Sequence, residues 1–505
     1  MYDEPMPDPF DPNETYEEEV TTSSSRRSCL YLAVTLVIIA SLVLSSVLTY
    51  FVVTSRDTRT VPPDDSLQAR AVESGPTAAP ATVVAAAATS MPTMEIKPAV
   101  AAPEVNRIAI INRDGQIETM SPLGDDRRVL TLASDNSRFQ FPAWSPDGRR
   151  VAMIGNRTVG GAIYVLDDTA RSGGLRDNQV YYSVEETPVY LYWSPDSENL
   201  GFLANQDRDS LSLNVVAGDG TVESRRLASG APFYWDWSDD GRQLLVHAGQ
   251  RGADNTLALI NIDGQTQADN LAVPGFFQAP DIAQGGQYWA FAEEADDGLT
   301  SLVIVDTQTG ERTAHQQLGS TALSWSPVGG QIAYTQGAVN GHPFWGPLHL
   351  MNVETGEEKM LSSQTVLAFF WSPDGRQIAF ITFGGRNDDD DSINAGAPEK
   401  SRRVSRVGSS PVAQFGQGFL TLSVVDVVSG TGLRLLDFEP TVSFLSQFLP
   451  YFDQYALSHR LWSPDSRAIV LPVRENGRNT IQVISTAGGR PYELAEGTVA
   501  FWSQN

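Results

Sequence analysis

Apolar runs and tight polar turns alternate along most of this chain. The clearest example is FFWSPDGRQIAFI at residues 369–381, where an apolar run ends in Trp-Ser and a second run follows a four-residue turn. Proline presets the backbone at the second turn position, and glycine accepts the left-handed conformation at the exit. The pattern therefore predicts a β-hairpin, with residues 377–381 forming a buried strand.

The same hairpin pattern recurs from residue 144 onward. Successive copies begin 43 to 49 residues apart, except for one interval of 91 residues before the last copy, and one copy carries Ile282 in place of its tryptophan. A period of this length with four strands per repeat is typical of a β-propeller, in which each repeat forms one blade. The tryptophans that mark the other copies, and for which we predict a structural role, are Trp144, Trp193, Trp237, Trp325, Trp371 and Trp462.

The two ends of the repeat region complement each other. Residues 107–132 have the pattern of the last three strands of a blade, and residues 498–503, which include Trp502, resemble a first strand. Pairing of these segments would complete one blade and leave no open sheet edge. We therefore predict an all-β propeller over residues 107–505 with eight four-stranded blades. Seven blades is the alternative, if the Ile282 repeat or the repeat after Trp371 forms no blade of its own.

The N-terminal hundred residues have a different character. Residues 28–55 contain no charged residue, and a helix of about 24 apolar residues is long enough to cross a bilayer. Residues 1–27 are acidic and predict a disordered tail, and the Ala/Pro/Thr-rich residues 56–105 predict a linker. Because a short leader normally stays inside, we expect a single-pass membrane protein with a cytoplasmic N-terminus and an extracytoplasmic propeller.

Two insertions interrupt the repeats. Residues 384–418 contain four consecutive aspartates and few large apolar residues, so they predict a disordered surface insertion; calcium binding is the alternative, although the spacing is not that of an EF-hand. Residues 438–460 are rich in aromatic residues, which must either pack onto the propeller or contact a partner. We predict a binding site there, formed by Phe444, Phe448, Tyr451, Phe452 and Tyr455.

The net charge, the single cysteine and the absence of common catalytic motifs argue against several classes of function. The net charge of −26 repels nucleic acid, so we expect no nucleic-acid partner. Cys29 lies outside the repeats, which excludes disulfides and thiolate metal sites within them. The chain has no Gly-x-Ser-x-Gly, His-Glu-x-x-His or phosphate-loop motif, and its five histidines are scattered. We therefore predict no catalytic residues, no metal and no cofactor.

The WSPDG-plus-strand units resemble the repeats of TolB-type propellers, which are also related to the propeller domains of prolyl-oligopeptidase-type enzymes. The resemblance covers about four fifths of the chain and implies a propeller that binds a protein partner. We thus expect a scaffold or sensor that binds a protein, a peptide or a cell-envelope ligand. The alternative is a lyase or glycan hydrolase with its active site at the central channel, which inward-facing histidines, arginines and carboxylates would favour.

Overall fold

A computed structural model of the chain describes residues 105–169, 174–207, 210–249, 255–275, 278–294, 300–317, 319–337, 344–384 and 419–505. Within these ranges the strands pair antiparallel and form a β-propeller. The predicted acidic tail (1–27), the predicted membrane helix (28–55), nearly all of the linker (56–105) and nearly all of the 384–418 insertion lie outside the described residues.

The membrane prediction needs correction. Among the residues that the structure describes, no helix is both long and apolar enough to cross a bilayer. The α-helix α1 (Phe452–Ser458) has seven residues, which extend about 10 Å, whereas the hydrocarbon layer is about 30 Å thick. Over the described residues the fold assignment is therefore corrected to a β-propeller in which no membrane-spanning helix is found, and the predicted single-pass location is corrected with it.

Four blades are separate four-stranded sheets. The first strand of each blade ends at the tryptophan position of its repeat. These positions are Trp144, Trp193, Trp237 and Ile282. The strands of these blades are β4 (Arg138–Trp144), β5 (Arg150–Asn156), β6 (Gly161–Asp167), β7 (Gln179–Ser183), β8 (Pro188–Trp193), β9 (Asn199–Asp207), β10 (Ser210–Ala217), β11 (Arg225–Gly230), β12 (Phe233–Trp237), β13 (Gln243–Ala248), β14 (Thr256–Asn261), β15 (Thr266–Ala272), β16 (Asp281–Ile282), β17 (Tyr288–Glu294), β18 (Thr300–Asp306) and β19 (Arg312–Gln317).

The remaining strands form one thirteen-stranded sheet, because β23, β26 and β29 each run from the outer edge of one blade into the next. The sheet thus contains four successive strand groups, and with the separate sheets it gives eight groups in all. Its strands are β20 (Leu323–Trp325), β21 (Gln331–Thr335), β22 (Gly346–Asn352), β23 (Glu358–Trp371), β24 (Gln377–Phe383), β25 (Leu420–Asp426), β26 (Gly432–Pro440), β27 (Ala468–Glu475), β28 (Arg478–Ser485), β29 (Tyr492–Trp502), β1 (Ile108–Asn112), β2 (Ile117–Met120) and β3 (Arg128–Val129).

The two ends of the repeat region pair with each other. Ile108 lies opposite Trp502, and Ile110 lies opposite Ala500, in the antiparallel register of β1 and β29. All four side chains are buried, so the shared blade has a closed apolar interior. The last strand of the chain is therefore the innermost strand of the blade that the first strands complete.

Asp168, which follows β6, links the blade at Trp144 to this shared blade. Its Oδ2 lies 2.8 Å from Nε of Arg107 and 2.7 Å from Nη1 of Arg128, while its Oδ1 accepts a hydrogen bond from Thr119 Oγ1 at 2.5 Å. The side chains of Asp168 and Arg107 are 4 % and 7 % exposed. Removal of the carboxylate would leave the buried Arg107 guanidinium with the exposed Asp126, 2.6 Å from its Nη1, as its remaining ion-pair partner.

The tryptophans join neighbouring blades. In five of the seven repeat tryptophans, the indole Nε1 donates to a backbone carbonyl on the innermost strand of the preceding blade. The acceptor is the residue just before the tryptophan position of that blade. Trp237 differs, because its Nε1 has no partner among the described residues. Trp502 instead donates to Asn106 Oδ1 at 2.8 Å. The five bonds of the common type are Trp144 to Phe501 (3.3 Å), Trp193 to Ala143 (3.0 Å), Trp325 to Asp281 (3.2 Å), Trp371 to Ser324 (3.1 Å) and Trp462 to Phe370 (3.0 Å).

Candidate functional site

The aromatic insertion interrupts the innermost strand of the blade at Trp462. Before the insertion Pro440 pairs with Val473 on β27, and after it Trp462 bridges Ile469 on the same strand. The intervening residues 441–459, which we call the plug, form irregular helical turns at Phe444–Phe448 and Leu449–Tyr451 and then α1. Because the insertion starts and ends on an innermost strand, it projects toward the propeller axis.

Aromatic rings of the plug pack against innermost strands from several blades. Tyr455 stacks on Phe141 of β4 with ring centroids 5.6 Å apart and meets Tyr190 of β8 edge-on at 5.1 Å. Phe452 meets Phe369 of β23 edge-on at 5.3 Å. Such aromatic contacts stabilise a core beyond the area that they bury. The plug therefore fills the axis and connects blades that are distant in sequence.

Two polar side chains of α1 bind the backbone of β12 and of a residue just before β16. Gln454 accepts a hydrogen bond from Trp235 N at 2.8 Å and donates one to Trp235 O at 2.9 Å, as a neighbouring strand would. Asp453 Oδ2 accepts from Ala279 N at 2.9 Å. Each bond satisfies a buried backbone group that faces the axis. The plug thus fixes its own orientation relative to the blades.

The predicted binding residues have two different environments. Four of the five are at most 5 % exposed and belong to the packed interior, as the packing alternative describes. Tyr451 is 43 % exposed. The four buried residues are Phe444, Phe448, Phe452 and Tyr455. Of the predicted set, Tyr451 is therefore the side chain with substantial surface available to a partner.

A cavity of ≈ 690 Å³ lies between the plug and the innermost strands β8 and β12. We call it the plug groove. Tyr451 and Tyr455 form one wall, and the opposite walls are mainly apolar. The principal residues of these opposite walls are Pro188, Val189, Tyr190, Leu211, Phe233 and Tyr234. Sequence reasoning missed them, because they occupy ordinary apolar positions of blade strands and no local signal marks them.

Phe141, which lines one end of the plug groove, has an unusual backbone conformation. This residue has a φ of 53°, and the pairing of β4 with β5 shifts register between Gln140 and Ala143. A bulky residue adopts this left-handed conformation only when its surroundings hold it there. Here the conformation allows the ring of Phe141 to stack on Tyr455. This ring pair separates the plug groove from a second cavity, since both residues line both cavities.

Two buried carboxyl groups lie on adjacent innermost strands beside the axis. Asp236 accepts hydrogen bonds from Ile282 N at 2.9 Å and from the Tyr192 hydroxyl at 3.1 Å, and Asp281 accepts from Trp325 N at 2.8 Å. Burial raises the pKa of Asp236 to about 6, and burial together with the charge of Asp236 raises the pKa of Asp281 well above its usual range. Each aspartate bonds to the next blade, and Asp236 also bonds to Tyr192 of the preceding one, so the pair links four blades.

Ser458 and His459 resemble a nucleophile and its base but are not placed to act as one. Ser458 Oγ lies 2.6 Å from His459 Nδ1 and also accepts a hydrogen bond from the Tyr190 hydroxyl at 2.6 Å. Both residues are buried. Burial lowers the pKa of His459 to about 3, which makes its imidazole a weak base at neutral pH. Their contacts are those of a packed interior.

No protein-family model matches this chain, and no curated protein matches it. The solved structures that it resembles include TolB from Acinetobacter baumannii, at 14 % identity over 69 % of this chain and 81 % of that one, with a TM-score of 0.34. A eukaryotic initiation factor matches at 10 % identity over 79 % and 99 %, with a TM-score of 0.45. An oligogalacturonate lyase from Vibrio parahaemolyticus matches at 11 % identity over 78 % and 85 %, with a TM-score of 0.38. TolB is thus among the solved structures that the chain is similar to, and at these TM-scores we transfer no activity from any of them.

Proposed function

We propose that the protein is a binding scaffold rather than an enzyme, and that it holds an extended apolar segment of a protein or peptide in the plug groove. The observation that supports this proposal is the groove itself. Its volume of ≈ 690 Å³ falls within the range of about 300–1,000 Å³ that is usual for ligand sites. Its walls are mainly apolar and aromatic, which is the surface that gives peptide side chains most of their binding energy.

Polar groups of the groove suit a peptide backbone. The Gln447 side chain lines the groove and has no hydrogen-bond partner among the described residues, so its amide is available to a peptide N–H or C=O. The Gln454 amide, by contrast, is used by the backbone of Trp235. A glycan would require many more free donors and acceptors than these walls offer. We therefore favour an apolar peptide over a cell-envelope sugar.

The polar residues near the axis favour an enzyme less than a scaffold. The carboxylates of Asp236, Asp281 and Asp453 accept hydrogen bonds from backbone N–H groups, and all three residues are at most 6 % exposed. A catalytic acid or base must reach a substrate atom within hydrogen-bond distance. These groups instead stabilise the contacts between blades and plug.

The test is a selection from a random peptide library displayed on phage, with the full-length chain immobilised as the target. Enriched peptides are synthesised, and their dissociation constants are measured by fluorescence anisotropy. We expect enrichment of peptides with aromatic or large aliphatic residues. Tyr451→Ala should weaken their binding about tenfold or more, because truncation of an aromatic anchor in a groove commonly costs about 2 kcal/mol.

Tyr492→Ala is the matched control, since Tyr492 is also 43 % exposed but does not line the groove. Leu211→Asp, which places a charge on the groove wall, should abolish binding. The proposal fails if no apolar peptide is enriched. It also fails if Tyr451→Ala and Leu211→Asp both bind the selected peptides as tightly as the parent protein.

A further inference from the structure

The second cavity, of ≈ 530 Å³, lies on the other side of the Phe141–Tyr455 ring pair. We call it the arginine cavity, after Arg113 and Arg138, which line it. Its lining includes the half-buried Phe141 and Val499 and also Phe444, Phe448 and Phe501, which are at most 4 % exposed. This aromatic surface suits the body of an apolar ligand.

The charges that line the arginine cavity leave an excess of positive charge. Arg138, at the start of β4, has neither an ion-pair partner nor a side-chain hydrogen bond among the described residues. Arg113 is 80 % exposed and lies 3.5 Å from Glu496, which also pairs with Arg478 at 2.9 Å. Asp114 is the one acidic residue that lines the cavity. In a chain of net charge −26, the exposed Arg138 thus places a positive charge, which has no ion pair within the described part of the chain, beside an apolar cavity.

Neutral hydrogen-bonding groups complete the cavity. Ser443 and Gln447 of the plug and Thr498 of β29 line it together with Arg138. A planar guanidinium pairs best with a flat anion through two parallel hydrogen bonds. A single arginine without a partner matches one negative charge, whereas a phosphate group carries nearly two at neutral pH and usually meets several cations.

We propose that the arginine cavity binds a carboxylate carried on an aromatic or aliphatic body, with Arg138 pairing to the carboxylate and with Phe141 and Val499 contacting the body. This site adjoins the peptide site in the plug groove, since Gln140, Phe141, Gln447 and Tyr455 line both cavities, but Tyr451 lines only the plug groove and Arg138 only the arginine cavity. A free small acid and the C-terminal phenylalanine of a peptide have the same recognition chemistry, so the experiment includes both.

The experiment measures the dissociation constants of 2-naphthoate and of its neutral analogue 2-naphthamide by isothermal titration calorimetry with the full-length chain. The same comparison is made between a tetrapeptide that ends in free phenylalanine and its C-terminal amide. We expect each acid to bind about five- to tenfold more tightly than its amide, because a charge-assisted hydrogen bond that is partly open to solvent gives a gain of this size. A larger gain for one pair identifies the source of the carboxylate.

Arg138→Met should remove the preference for the acid and leave the affinity for 2-naphthamide unchanged, because the methionine keeps the apolar stem without the charge. Arg138→Gln should do the same and guards against a local packing effect of methionine. Arg149→Met is the control, since Arg149 is 71 % exposed and does not line the cavity. Equal affinities for acid and amide, or a preference that persists in both Arg138 variants, would overturn the proposal.

The two sites can be tested separately. Tyr451→Ala should leave the binding of 2-naphthoate unchanged while it weakens apolar peptides in the plug groove. A loss of 2-naphthoate binding in Tyr451→Ala would place the acid in the plug groove and overturn the assignment to the arginine cavity. Failure of the peptide selection leaves the acid-to-amide comparison intact, because that comparison depends on Arg138.

Discussion

Replacement of Asp453 by asparagine should make the stability of the protein less dependent on pH. Asp453 lies in the first turn of α1 and is 6 % exposed. Burial raises its pKa to about 6, although the N–H group of Ala279 donates to its carboxylate and opposes this effect. Asparagine has nearly the same shape and keeps an oxygen that can accept from Ala279 N, but it has no charge to bury.

The sign and size of the effect follow from the two states of the carboxyl group. The folded protein releases the Asp453 proton at a pKa of about 6, whereas the unfolded chain releases it at the ordinary value of 3.8. Well below pH 3.8 the group is protonated in both states and its buried charge costs nothing. Between about pH 3.8 and about pH 6 the free energy of unfolding of the parent protein falls by about 3 kcal/mol in all, and above this range it stays level.

The assay is urea unfolding of the parent and of Asp453→Asn from about pH 4 to about pH 7.5. Tryptophan fluorescence and circular dichroism are recorded together, so that only coincident transitions are compared. The free energy of unfolding of the variant minus that of the parent should increase by about 3 kcal/mol across this range. The lowered pKa values of His247 and His459 affect both proteins equally and cancel in the difference.

Asp306→Asn is the control. The N–H group of Thr309 donates to Asp306 at 2.8 Å and lowers its pKa, so any change in stability from this group occurs below the tested range. A difference between Asp453→Asn and the parent that stays level with pH would refute the reasoning, because it would mean that the Asp453 charge is not held in a low-dielectric interior.

Two further substitutions test the packing of the propeller, both through urea midpoints. Asp168→Asn should lower the free energy of unfolding by about 3 kcal/mol, because the buried Arg107 then keeps only the exposed carboxylate of Asp126 as an ion-pair partner. Glu439→Gln, which removes an exposed ion pair with Arg474, should have little effect, and equal midpoints for these two would contradict the prediction. Phe452→Ala should cost about 3–5 kcal/mol, because its ring is 1 % exposed and leaves a cavity at the axis. Tyr451→Ala is its exposed neighbour, and a similar loss in both would show that the plug is not packed as described.

The blade pattern could be predicted from the sequence because its causes are local. The Ser372 hydroxyl donates to Asp374 at 2.7 Å within the four-residue turn, and Gly375 has the positive φ of 67° that the turn requires. Pairing of Ile108 with Trp502 joins the two ends of the repeat region, and it too could be predicted, since each end has the pattern of an incomplete blade. In both cases the residue types along the chain are enough to predict the pairing.

The groove walls could not be predicted in this way. Tyr190 and Phe233 belong to two different blades, and both are apolar residues at strand positions where any blade needs one. Phe141 is a second example, because no residue type at that position signals a left-handed backbone and the register shift that accompanies it. Cavities between repeats depend on how the ring brings strands together, which a linear pattern does not record.

The contacts of the plug show how an insertion this rich in aromatic residues can pack and still present a side chain for the binding that we propose. An insertion that only covered the surface could be removed without loss of the fold, but Gln454 and Asp453 satisfy backbone groups of β12 and of the residues before β16. Deletion of residues 438–460 would therefore expose the axis and test stability rather than binding. Because its neighbours are fixed by these contacts, Tyr451 is presented on a rigid support, and a rigid aromatic side chain loses little conformational entropy when a ligand binds. Substitution at Tyr451 therefore tests the proposed binding role of the plug separately from its packing role.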